Sequence, residues 1–474
     1  MPFEIIKAPG KFDCLKDSNV LALENLEHSS FHIIALLLLC GAVLHTLFVH
    51  KVHALARIIE AKQAPKRAKE RSPRSIGVQV LYFLSEVEIV FAIWAVPLFF
   101  IIAANFGWEP ALEYINTRDY TEALFVVIIL SLASTRPIIQ ISQTVIQFLA
   151  KGLGGTLSAW WFVLLTVGPL LGSFITEPGA MAIVALLLSK KFYQFRPSSK
   201  LAYATLALLF TNISVGGVLT NFASPAILIL SHAWEWSSWD MFTNFGAKAI
   251  LGIFLANGIH WFYFRKEFAL LNERKKLADE VFTPPKEEER PTPRWITGVH
   301  LFTIAAVVLS ANYPAIFMAT YLFFVGFHQT TRRHQEPLRL ARPLLVGLFI
   351  AGLVIHGGVQ AWWVVEALVG LDPIQVLGMS MGLTAFNDNT AIAYLATLIP
   401  YWSKACQYAL ITGVISGGGL TVIANAPNPA GFVILSEHFN GSASSWKLFL
   451  NALIPALIFY LVFSLFSPVF REVS

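Results

Sequence analysis

Charge is what this sequence has least of. Only 13% of its 474 residues are Asp, Glu, Lys or Arg, against about 25% in an ordinary soluble domain. The missing charge is replaced by Leu, Ile, Ala, Phe and Val, and 56% of the chain is hydrophobic. Cysteine is nearly absent. Cys14, Cys40 and Cys406 are scattered, which excludes a disulfide framework and a cysteine zinc site. The first 28 residues are polar and mildly acidic, so they are not expected to be a cleavable signal peptide. They read as a surface-lying or disordered lead-in. A His-Glu-x-x-His zinc motif is missing, and this argues against an intramembrane enzyme built on His300, His356 and Asp388.

Long apolar runs take their place. Phe31 to Val49, Leu81 to Asn105, Ala123 to Ala150, Met241 to Phe264 and Leu344 to Val369 are examples. A bilayer core of about 30 Å needs roughly 20 helical residues. These runs imply an all-α membrane protein with about ten spanning helices. The net charge of +5 does not imply nucleic acid, because Lys and Arg cluster in short loops between apolar runs. That is the pattern of loops held on the cytoplasmic side. The basic loops are about 51–74, 265–294 and 331–342, and with them inside, both termini are expected outside. The loop from Glu437 to Ser445 should then be cytoplasmic, yet it is not basic.

Two segments break the simple alternation. Residues 156–195 are apolar but interrupted by Thr-Glu-Pro-Gly at 176–179, with Lys151 before them and Lys190, Lys191 and Arg196 near their end. Both ends look cytoplasmic, so the segment reads as a re-entrant hairpin. Such backbone survives at membrane depth only beside protein or water. A broken helix follows at about 201–231, interrupted by Ser214-Val-Gly-Gly-Val-Leu-Thr-Asn-Phe-Ala-Ser-Pro225. Glycines weaken a helix there and the proline removes a donor.

The second part of the chain repeats this plan. A hairpin at about 373–400 carries Asn387-Asp-Asn-Thr390 at its tip. A broken helix at about 403–435 contains Ser416-Gly-Gly-Gly-Leu-Thr-Val-Ile-Ala-Asn-Ala-Pro-Asn-Pro429. Gly168 and Gly172 precede the first tip, Gly378 and Gly382 the second, as small residues do where helices approach closely. Matching the tips leaves Glu177 opposite Asn387 or Asp388. The expected organisation is a lead-in at 1–28, a first repeat at 29–264, a cytoplasmic linker at 265–295 and a second repeat at 296–470. The first repeat starts outside and the second inside. Inverted repeats with a midplane site are a signature of secondary transporters.

Glu177 and Asp388 are the leading site candidates. The bland alternative is that each is a helix-capping acid. Near mid-membrane, however, an ionised side chain costs several kcal/mol and marks a function by default. Asn387, Asn389 and Thr390 add oxygen donors beside Asp388, and hard cations want oxygen. The broken helices add Thr220, Asn221 and Ser224 from the first repeat, and Thr421, Asn425 and Asn428 from the second. These could coordinate Na⁺ or simply satisfy a helix break. Glu86 and Glu88 lie two apart in a spanning helix, so at most one faces the core easily. They and Arg136 are candidates for a proton relay or support, with pairing to Arg136 as the structural alternative. His356 reads as a core residue. Trp234, Trp236, Trp239, Trp362 and Trp363 read as interface belts.

The two hairpins, Ser-Val-Gly-Gly-Val-Leu-Thr-Asn at 214–221, Asn-Asp-Asn-Thr at 387–390 and Gly-Gly-Gly-Leu-Thr…Asn-Ala-Pro-Asn at 417–428 resemble the bacterial sodium/proton antiporters related to NhaD. That family lies within the wider superfamily of arsenite, citrate and dicarboxylate carriers. The resemblance covers about residues 75–470. It implies a bacterial inner-membrane protein, hairpin tips meeting broken helices at the site, a homodimer and elevator-type motion. It implies no cofactor other than the transported Na⁺ and H⁺. The carboxylate carriers of that superfamily have neutral Ser-Asn-Thr tips, whereas this chain has an acid at each tip. Two acids would repel a dicarboxylate and suit a cation exchanged for protons. The alternative is a Na⁺-coupled carrier of a small anion or metabolite.

Overall fold

A computed structural model describes residues 30–70, 75–281, 292–368, 370–399, 402–439 and 443–466. The expected lead-in and both chain ends lie outside these residues. Of the described residues 83% are helical, and no strand occurs among them. Among the described residues six helices are long and apolar enough to cross a membrane, or eight if each of two bent pairs is one span. Their outer faces carry large exposed apolar side chains such as Phe100, Phe148, Phe254 and Leu348. Together these features make it an all-α, multi-pass membrane protein.

The helix α1 spans Ser30–Glu70 without interruption. The basic segment after residue 50 therefore continues the helix as far as Glu70 and is not a loop. Its Ala, Leu, Arg, Lys and Glu residues are good helix formers. The expected single helix at 76–104 is two: α2 (Ile76–Leu84) and α3 (Val90–Phe106), joined through Ser85 and a 3-10 turn at Val87–Ile89. After α4 (Trp108–Asn116) comes α5 (Thr121–Ala133), which bends by 63° into α6 (Arg136–Gly152). The bend replaces a straight third helix, and Pro137 starts the new one in the position where a missing N–H costs nothing.

The first hairpin is α7 (Leu157–Ile175) and α8 (Glu177–Lys191), folded back on each other around Thr176. The first broken helix is α9 (Ser199–Gly216), a 3-10 turn at Gly217–Leu219, an extended stretch and α10 (Pro225–Ala233). Then come α11 (Ala247–Tyr263) and α12 (Arg265–Val281). The first part of the expected linker is thus an ordered helix, not a solvated tether. Phe268 and Leu271 are buried, and Phe268 packs on Trp161. Residues 282–291 lie outside the described residues.

The second part runs through α13 (Arg294–Leu309), α14 (Pro314–Thr330) and α15 (Ala341–Gly357). An 84° bend at Gly357 and Gly358 leads into α16 (Ala361–Leu368), so the expected continuous helix to residue 369 is also broken. The second hairpin is α17 (Pro373–Phe386) and α18 (Asn389–Thr397). The second broken helix is α19 (Lys404–Gly417) and α20 (Asn428–Leu435), and α21 (Ser445–Leu465) closes the chain.

Two apolar bodies organise these helices. One gathers α7 to α11, both arms of the second hairpin, α19 and α21. The other gathers α1, α3, α5, α14 and α15. The hairpins are cross-docked: α8 packs on α20, and α18 packs on α10. Trp236 is not a belt residue. It is buried, and its indole N–H donates to Gln407 Oε1 at 3.0 Å.

Candidate functional site

The two broken helices touch where they break. Ser214 donates its hydroxyl to Ile415 O at 2.9 Å, and Gly419 lies against the Thr211 backbone. Contacts that advance along one helix retreat along the other, so α9 and α19 cross antiparallel.

Each hairpin tip is latched to its own broken helix in the same way. Thr220 donates to Ser173 O at 2.7 Å, and Thr421 donates to Ala385 O at 2.9 Å. Glu177 N donates to Ala223 O at 3.1 Å, and Asn389 N donates to Ala424 O at 3.0 Å. Gly216 and Gly417 lie tight against the backbones of Pro169 and Met381, where a Cβ would sit 2.5 Å and 2.7 Å from the nearest carbonyl oxygen. All three pairs keep one register, and in it Glu177 matches Asn389. That corrects the expected match to Asn387 or Asp388. The Gly378 and Gly382 motif also lacks its expected role, since a Cβ at either would meet nothing within 4 Å. The close approach in the second hairpin comes from Gly413 and Gly417 of α19. In the first hairpin, Gly168 and Gly172 do face Val184 and Ala180.

Glu177 is fully buried. Its Oε2 accepts from Asn425 Nδ2 at 2.9 Å, a bond that joins the first hairpin to the second broken helix. Ser224 Oγ approaches the same carboxyl, but neither it nor Oε1 completes a hydrogen bond of good geometry. The carboxyl presses on Gly217, where a Cβ would lie 2.5 Å from Oε1. The preceding Thr176 is buried at φ 68° and ψ 153°, a conformation costly for any side chain and often kept at functional sites.

Asp388 is buried and caps α18. Its Oδ1 accepts from Thr390 N at 2.8 Å, while its own N–H donates to Asn387 Oδ1 at 2.9 Å. Asp388, Thr390 and Asn425 line a cavity with about 10 Å³ of room for water centres, enough for roughly one water. Asn425 therefore links the two acids, bonding Glu177 while it lines the space beside Asp388.

Asn428 spans the second break. Its Nδ2 donates to Gly418 O and Thr421 O at 2.8 and 2.9 Å, and its Oδ1 is free. Asn425 Oδ1, Ser416 Oγ and Thr384 Oγ1 are also buried without partners. Buried polar atoms are nearly always satisfied, so the Glu177 carboxyl with Ser224 Oγ and Asn425 Oδ1 beside it offers a small set of hard ligands. Among the described residues no group of three His, Cys, Asp or Glu could hold a metal ion.

Not every candidate joins this cluster. Asn221 is turned away, bonded to Trp236 O and Ser238 Oγ. Asn389 contributes its backbone latch and a buried, unpartnered amide nitrogen, while its Oδ1 accepts from Thr390 Oγ1 at 3.4 Å. Arg136 forms its ion pair with Glu336, at 3.7 Å. Glu86 is exposed, while Glu88 lines the Asp388 cavity. Ser173 went unnoticed in the sequence. It donates to Gly216 O at 2.6 Å and accepts from Leu219 N at 3.0 Å. Its only signal was a hydroxyl one turn before the tip.

A second cavity, about 220 Å³, lies at the far ends of α10 and α18 and is lined by Arg118, Asp119, Glu122 and Tyr394 among others. Both helices begin at the site. A family model described as "Putative Na+/H+ antiporter" matches residues 30–466 of the chain. No curated protein matches it.

Proposed function

The chain belongs to this Na⁺/H⁺ antiporter family, and from that membership we propose that it exchanges Na⁺ for protons at the Glu177 cluster. The observation that carries the reading is a fully buried carboxylate with the oxygens of Ser224 and Asn425 beside it. A bare carboxylate in a water-poor site is costly. A proton relieves that cost, and so does a cation, but each weakens the hold on the other. That competition is the exchange. Glu177, Ser224 and Asn425 are the central ligands. Asp388, Thr390, Thr421 and Asn428 complete the surroundings, and no cofactor is needed.

The shared register of the latches and the antiparallel crossing support two inverted repeats, with the hairpins re-entering from opposite faces. The same features support the kinship to NhaD and its superfamily. The 220 Å³ cavity supports water access along α10 and α18. Two carboxyls at the site count against an anionic substrate.

The test is flux through the purified protein in liposomes under a pH gradient. Addition of Na⁺ should drive proton movement, and Glu177→Gln should reduce it by about a hundredfold or more, as loss of an essential group does. A wild-type protein that moves no protons in response to Na⁺, Li⁺ or K⁺ would remove the reading.

A further inference from the structure

The break between α2 and α3 brings a third carboxyl to the site. A 3-10 turn inside a long apolar run is a poor backbone arrangement and often marks a functional place. Here it separates two neighbouring acids. Glu86 is exposed, and Glu88 is half-buried and lines the one-water cavity with Asp388, Thr390 and Asn425. Among the described residues, no basic side chain lines that cavity. Asn425, 1% exposed, lines it and keeps an unpartnered Oδ1.

The cavity lies on a seam. Val87, Val346 and Phe349, on one wall, belong to the apolar body that holds α1, α3, α5 and α15. Asp388, Asn425 and Pro429 come from the second hairpin and broken helix. The charged groups around Glu88 are Glu86 on its own turn and Arg342 at the start of α15. His53 and Arg57 of α1 stand beside that turn and act on or near Glu86. On the far wall Asp388 also feels Glu177.

We propose that Glu88 is a second proton-holding residue of the exchange, sharing one proton with Asp388 across the cavity. This rests on the antiport reading. Two carboxyls facing one small cavity cannot both be bare without strong repulsion, and one shared proton relieves it. On release, one carboxyl O–H bond breaks and the proton passes to the cavity water, leaving both oxygens free for a cation. Proton loss thereby replaces an attraction across the seam by a repulsion. The step that admits the cation also loosens the contact between the two bodies.

The measurement is the pH dependence of Na⁺-driven proton flux in liposomes for wild type, Glu88→Gln and Glu86→Gln. Acid silences exchange by keeping the site protonated. Removing Glu88 removes a like charge, so the remaining carboxyl gives up its proton more readily. The acid-side midpoint in Glu88→Gln should fall by about one pH unit, with the Glu86→Gln midpoint near wild type. An unchanged midpoint in Glu88→Gln overturns the proposal while leaving antiport intact. Wild type without flux would instead defeat the antiport reading. If Glu88→Gln does not fold, the wild-type protein still decides. Dicyclohexylcarbodiimide adds to protonated buried carboxyls, and peptide mapping should find it on Glu88, with Na⁺ protecting. Absent or Na⁺-indifferent labelling at Glu88 overturns the proposal.

Discussion

At the first hairpin tip a carboxylate, Glu177, occupies the first position of α8. At the second tip that position is Asn389, and the carboxylate, Asp388, stands one residue earlier as the cap of α18. The latches around the two tips are otherwise alike, from the threonine bonds to the tight glycines. The shift of one residue changes what each acid does. Asp388 spends an oxygen on the Thr390 N–H, so part of its charge serves the helix. Glu177 keeps Oε1 free and reaches into the other half through Asn425. Two tips with matching latches therefore hold their acids in different surroundings.

The comparison breaks most sharply at the carboxylates. Glu177→Gln should cost about a hundredfold in Na⁺-driven flux and Asp388→Asn only about tenfold, since Asn can still cap the helix. Equal losses in a liposome assay would erase the distinction. The next effect concerns the glycines beneath the tips. Gly217→Ala puts a methyl group against the Glu177 carboxyl. It should weaken Na⁺ affinity and cost about 1–3 kcal/mol of stability, as overpacking does. Gly418→Ala crowds Ser214 and Asn389 instead. It should lower the melting temperature similarly without a matching loss of Na⁺ affinity. Thermal unfolding in detergent, with and without Na⁺, separates the two.

Smaller effects come from the turn itself. Asp388→Ala loses the cap and should destabilise by about 1 kcal/mol, whereas Asp388→Asn should leave the melting temperature almost unchanged. Thr176→Gly places glycine at a φ of 68°. It should raise stability by up to about 1 kcal/mol, because relieved strain outweighs the extra freedom of the unfolded chain. A lowered melting temperature would mean that the Thr176 side chain holds the tip.

Much of the break pattern was legible because glycine, proline and clustered amides interrupt apolar runs at 176–179, 216–225, 387–390 and 417–429. The bend between α15 and α16 had its signal in Gly357 and Gly358, and the α5 bend had one in Thr135-Arg-Pro137. Both were hidden inside runs apolar enough to pass as single helices. The Ser85–Ile89 break has no glycine or proline at all. Only the two acids and the serine hinted at it, because packing against α15 sets the turn there. The tip register was misjudged because the small-residue pair at Gly378 and Gly382 looked like a packing motif and is not one.

The sequence by itself determined that this chain lives in a bilayer, since so few charges and so many apolar runs leave no soluble alternative. It also determined the breaks at 176–179, 216–225, 387–390 and 417–429, because backbone propensities act locally. The tertiary structure alone decided that Asn425 meets Glu177, that Asn221 turns away and that Glu88 rather than Glu86 faces Asp388. Those outcomes depend on contacts between residues far apart in the chain, and no local preference encodes them.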